Sequence, residues 1–141
     1  LLPQPFVTQA LAKDADIKVA LDMTEEWDKC VTDGSQLTMG CVVARTEFVE
    51  ENKKAVDRFL EEYAASVEFV NGNVEDAAAL SGKFDVIAEA VAAKAIPECN
   101  IVFWEGEQMK KAAEGFLTVL HQANPQSVGG KLPDEGLYYA K

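Results

Sequence analysis

One histidine and three cysteines in 141 residues, with no Cys-x-x-Cys pair, leave too little material for a Cys/His zinc site, so no metal is expected. A nucleophile and base would have to run through His121, and no local motif sets a serine or cysteine beside it. Bond-making catalysis and a cofactor are therefore not expected. Phosphate-binding glycine loops are missing too: Gly129-Gly130-Lys131 has neither a strand before it nor a helix after it. No uninterrupted apolar stretch approaches the ~20 residues that span a bilayer. The start Leu1-Leu2-Pro3-Gln4-Pro5 lacks a basic leader, and a chain opening there, inside an apolar, proline-bearing segment, reads as a piece of something longer. Basic residues are few, 13 against 24 acidic, and a net charge of −11 repels phosphate backbones, which argues against a nucleic-acid partner.

What is present is ordinary globular material, 48% apolar and 26% charged, of a size for one domain over residues 1–141. The odd cysteine count, Cys30, Cys41 and Cys99, reads as unpaired thiols. Two prolines make residues 1–8 an extended hinge strand. Ile17 to Asp22 alternates in the strand period, and residues 37–45 run apolar and β-branched after the Thr32-Asp33-Gly34-Ser35 loop, so both read as strands. The pattern predicts an α/β fold: a small sheet of two or three strands packed by about four helices over 46–124, then an irregular tail over 125–141.

The helical part is the clearest. Val56, Phe59, Leu60, Tyr63, Val67 and Val70 recur at three- and four-residue steps behind an Asn52 cap, and Asn71-Gly72 supplies a left-handed stop. A short helix from Asn73 to Leu80 and another from Val86 to Ala95 follow, the latter capped by Asp85 and ended by Ile96-Pro97. Glu107 to Ala123 is amphipathic through Met109, Ala113, Phe116, Leu117 and Leu120, and Asn124-Pro125 closes it. Carboxylate pairs such as Glu25-Glu26 and Glu61-Glu62 sit on polar faces and read as solvated surface. Phe6, Trp27 and Trp104 lie outside the helical stripes, as lids over a core edge or stacking surfaces.

The order of segments adds more. Leu1-Leu2-Pro3-Gln4-Pro5-Phe6-Val7-Thr8, then Val19-Ala20-Leu21-Asp22, then Met39-Gly40-Cys41-Val42-Val43-Ala44-Arg45-Thr46-Glu47-Phe48, with Asn52-Lys53-Lys54-Ala55-Val56, resembles the C-terminal half of periplasmic-type solute-binding proteins of ABC importers. The branch it resembles handles nitrate, sulfonates, taurine and thiamine precursors. Lys53 stands where proline is frequent in that family. The resemblance implies an incomplete lobe of a two-lobed type II periplasmic-binding-protein fold, a binding protein and not an enzyme. The receptor would be extracytoplasmic, periplasmic or a membrane-tethered lipoprotein, and would deliver a small solute to an ABC permease. By position, Gln4, Pro5 and Phe6 in the hinge segment and Thr38, Met39 and Gly40 at the mouth of the second strand would line one wall of the solute site.

Half a lobe carries a physical consequence. Open strand edges and an apolar face recruit another chain, so the isolated piece is expected to be dimeric or domain-swapped and to bind its solute weakly. The rival reading is an α-rich interaction module with no small-molecule ligand, whose Val56–Val70 and Met109–Leu120 stripes dock a partner helix.

Overall fold

Helices build this chain, and their ends follow side-chain chemistry that the sequence partly declares. The structure is a computed structural model describing residues 1–139; the last two positions of the predicted tail, Ala140 and Lys141, lie outside it. Seven α-helices run in chain order: α1 (Phe6–Lys13), α2 (Met23–Cys30), α3 (Thr46–Glu51), α4 (Lys53–Gly72), α5 (Val74–Lys83), α6 (Glu89–Ala95) and α7 (Gly106–Ala123). Short 3-10 turns occupy Ile96–Glu98, Pro125–Val128 and Glu135–Leu137.

The expected α/β sheet is absent: among the described residues there is no strand, and the architecture is all-helical. Residues 1–8 do not form a hinge strand, because α1 already begins at Phe6. Residues 17–22 and 37–45 are irregular, without a strand ladder. The reason is pairing. Alternation and β-branching describe an edge suited to a sheet, but a strand exists only with a neighbour about 4.7–4.9 Å away, and neither segment finds one among the described residues.

Contacts divide the chain into two compact units. The first comprises residues 1–18 and 46–103, and its centre is alanine. Ala77 and Ala78 of α5 and Ala92 and Ala95 of α6 are buried, Ala78 completely. Small side chains let the two backbones approach closely. A Cβ on Gly82 would lie 3.1 Å from the Glu89 Cβ, so the approach of α6 leaves little room for a side chain there. Beside them Val67 of α4 is buried, while Phe59 and Tyr63, on the same predicted stripe, stay exposed. Those two rings stack at 5.7 Å, and Tyr63 meets Phe103 edge-on at 5.8 Å.

Caps explain the helix boundaries. Asn52 stands at the predicted position, but its side-chain amide donates backwards to the Phe48 carbonyl at 3.0 Å. The side chain therefore closes α3, while the Asn52 carbonyl opens α4 by accepting from the Val56 amide at 3.1 Å. The predicted left-handed stop at Asn71-Gly72 is not used; α4 runs through Gly72, and Asn73 closes it by donating to the Phe69 carbonyl at 3.0 Å. Asn71 instead donates to the Ile101 carbonyl at 2.8 Å, tying the end of α4 to the segment after Pro97. Asp85 does not cap a helix at Val86: it takes a positive φ of 54° in the turn, and α6 starts at Glu89.

The second unit comprises residues 19–45 and, within the described range, 104–139. Asp22 opens α2 by accepting from the Thr24 and Glu25 amides at 2.8 and 3.1 Å, an N-cap where a strand end was expected. α7 matches its predicted span within one residue, and its Asn124 closure holds: the Asn124 amide donates to the Leu120 carbonyl at 2.8 Å, while its side chain accepts from Gln126 N at 3.1 Å and opens the next 3-10 turn.

Candidate functional site

The six predicted solute contacts fall into two groups, one in each unit. Gln4 is half-buried, and its Oε1 accepts from the Thr8 amide at 3.3 Å and from the Thr8 hydroxyl at 2.8 Å. It serves as a local cap on α1. Pro5 precedes the helix through a cis Gln4–Pro5 peptide, and Phe6 opens it with its ring exposed. In the second unit Thr38 is half-buried, Met39 is 79% exposed, and Gly40 has open space where a Cβ would stand. Among the described residues no backbone or side chain makes the close approach to Gly40 that a glycine would permit.

Trp27 lies on α2. Its ring meets Phe116 of α7 at 5.5 Å, and its indole N–H donates to the Ser35 carbonyl at 3.1 Å. Ser35 is the buried end of this clasp, 5% exposed, and a Cβ on Gly115 would run into its side chain. A glycine in mid-helix costs about 1 kcal/mol relative to alanine, and here seating Ser35 against α7 accounts for it. That lone glycine was the sequence signal for the contact.

Two shallow clefts lie along α7 in this unit, and sequence reasoning identified neither. One, of about 240 Å³, is lined by Asp33, Ser35, Lys111, Glu114, Gly115 and Thr118. The other, of about 160 Å³, shares Glu114 and Thr118 and is closed by Leu117, Leu132, Pro133 and Tyr138 from the tail. The Ser35 amide donates to the Asp33 carboxylate at 2.8 Å, which holds its pKa below the ordinary 3.8. Lys110 strings the tail to α7 through Glu135 at 2.7 Å, and that hydrogen bond pushes its pKa upward. Burial raises the Tyr138 phenol and also the Cys99 thiol, the latter with help from Glu98. Cys30 and Cys41 are free and exposed. Among the described residues no group of three His, Cys, Asp or Glu side chains is placed to hold a metal ion, and no helix is long and apolar enough to cross a membrane.

No protein-family profile and no curated protein matches this chain. Among solved structures, it is similar to the crystal structure of an ABC transporter from Parabacteroides distasonis, with 26% sequence identity and a TM-score of 0.71 over 99% of this chain. The chain spans about half the length of that structure, 48%. The likeness supports a relation to ABC transporters and no more, and the nitrate, sulfonate, taurine and thiamine-precursor branch is a finer assignment than it reaches.

Proposed function

We propose that this chain is part of the solute-binding component of an ABC importer, holding a small solute for delivery to a membrane permease without chemically altering it. The observation that carries the reading is the likeness to an ABC transporter across 99% of the chain, at an identity of 26%. The order of segments from the proline-bearing start to the Asn52 helix supports it independently. In this reading Gln4, Pro5 and Phe6 in the first unit and Thr38, Met39 and Gly40 in the second are solute contacts, and the protein works outside the cytoplasm, periplasmic or lipid-anchored. The solute is a nitrate-, sulfonate- or taurine-like anion or a thiamine precursor. Because the chain spans 48% of its structural neighbour, the affinity of this stretch alone is weak.

Thermal-shift titration with nitrate, taurine, an alkylsulfonate and a hydroxymethylpyrimidine tests this, since a ligand of the folded state raises its apparent stability. One of the four, at millimolar concentration, is expected to raise the melting point, and Thr38→Ala together with Gln4→Ala to abolish the rise. No shift with any of them at 50-fold higher concentration contradicts the reading.

One observation favours the rival interaction module: Phe59 is 49% exposed and stacked on Tyr63, so α4 presents a half-exposed aromatic face with Phe103 against the edge of Tyr63. A solute-induced shift separates the two, because the module has no small ligand.

A further inference from the structure

Ser35, seated against α7, carries a hydroxyl that its contacts with Trp27 and Gly115 do not use. The residue is 5% exposed, its amide donates to Asp33 and its carbonyl accepts from Trp27, yet its Oγ has no hydrogen-bond partner among the described residues. The Ser35 amide first and this hydroxyl second lower the Asp33 pKa, without the hydroxyl reaching hydrogen-bonding geometry. A buried hydroxyl left unpaired costs about 1–3 kcal/mol. Ser35 lines the larger cleft along α7, about 240 Å³, which is well above the ~30 Å³ share of one water molecule. Thr118 adds a second, half-buried hydroxyl, and every lining residue belongs to the second unit.

The charges around this cleft are of both signs and are kept apart. Asp33 stands on the loop before Ser35 and Lys111 on α7, both exposed. Lys111 makes no ion pair among the described residues, although its field helps lower the Asp33 pKa. Glu114, one turn along α7, adds a second carboxylate; its contact with Lys110 is long, 4.0 Å, while Lys110 is held by Glu135 at 2.7 Å. A lone anion would meet Lys111 but face two carboxylates and a chain of net −11. A lone cation would meet the carboxylates and leave Lys111 unmatched. A molecule with both charges a few bonds apart matches both.

We propose that this cleft binds a small zwitterion, an α-amino acid, with its ammonium on Asp33 and Glu114 and its carboxylate on Lys111 and the Ser35 hydroxyl. The site goes beyond the solute-binding reading and does not rest on it, since none of Gln4, Pro5, Phe6, Thr38, Met39 and Gly40 lines the cleft.

L-serine added to this chain up to 100 mM is expected to give saturable shifts of the backbone amide resonances of Asp33, Ser35 and Gly115. Ethanolamine and L-lactate, which each carry one of the two charges, are expected to bind at least tenfold more weakly. Three variants are each expected to raise the dissociation constant for L-serine at least fivefold with an unchanged helical circular dichroism spectrum. They are Lys111→Met, Asp33→Asn, which keeps an oxygen for the Ser35 amide, and Ser35→Ala, which keeps the backbone contacts with Trp27 and Asp33. No saturable shift up to 100 mM, the result when water alone fills the cleft, overturns the proposal. So does ethanolamine or L-lactate binding as tightly as L-serine, or an affinity that any of the three variants leaves unchanged. Saturable shifts confined to residues 4–6 and 38–40 also overturn it, and leave the solute reading standing.

Discussion

Each unit has its own internal packing, and the two kinds of packing are opposite. In the first, α5 and α6 meet through four buried alanines and Gly82, so the backbones come close and little side-chain volume is enclosed. In the second, a single large ring, Trp27, reaches across to Phe116 while its indole N–H holds the Ser35 carbonyl against Gly115. A core of small residues spreads its stability over many weak contacts and fails by overfilling. A clasp concentrates stability in a few atoms and fails when one of them is removed or obstructed.

That contrast can be broken selectively, because both tryptophans, Trp27 and Trp104, belong to the second unit. Gly115→Val places a branched side chain where Ser35 sits, and overpacking of this kind costs up to about 3 kcal/mol. Tryptophan fluorescence is expected to lose its folded signal at lower denaturant than far-UV circular dichroism, showing the second unit opening first. Ala78→Leu overfills the alanine core by a smaller amount, about 2 kcal/mol, and should reverse the order, with helical signal lost before the tryptophan signal moves. Coincident transitions in both variants would mean that the two units unfold as one. Trp27→Phe keeps the ring but removes the N–H donor to Ser35, at a cost of about 1 kcal/mol, read as a shift of the fluorescence-independent amide exchange of residues 33–36.

The smallest effect concerns pH. Asp33 is held below its ordinary 3.8 by the Ser35 amide, so its contribution to stability is complete above about pH 4 and is lost as pH falls through the lowered folded value. Asp33→Asn should flatten that part of the stability profile and leave it unchanged at pH 7 relative to its own pH 5 value. An equally steep acid limb in the variant would assign the acid loss to other carboxylates.

The amphipathic helices were legible in the sequence because their period and caps are local. α7 was readable to within one residue from its apolar stripe and Asn124-Pro125, and α6 ended where Ile96-Pro97 indicated. The failures arose where a non-local partner decides. Residues 17–22 and 37–45 have strand composition, yet composition cannot supply the neighbour that turns an edge into a ladder. Asn52 was rightly placed at the start of α4, but its side chain serves the helix before it, a choice made by a rotamer and not by residue type. The clefts on α7 were illegible because Lys111 and Glu114 look like ordinary solvated charge; only Gly115, out of place in a helix, marked that something packs there.

The solute-grip account is tested most directly by following backbone amide resonances of this chain while nitrate, taurine or a hydroxymethylpyrimidine is added. The account predicts saturable shifts with at least one of them, largest at Gln4, Phe6, Thr38, Met39 and Gly40. Resonances that stay unmoved there, or shifts confined to the exposed aromatic face of α4, would contradict it.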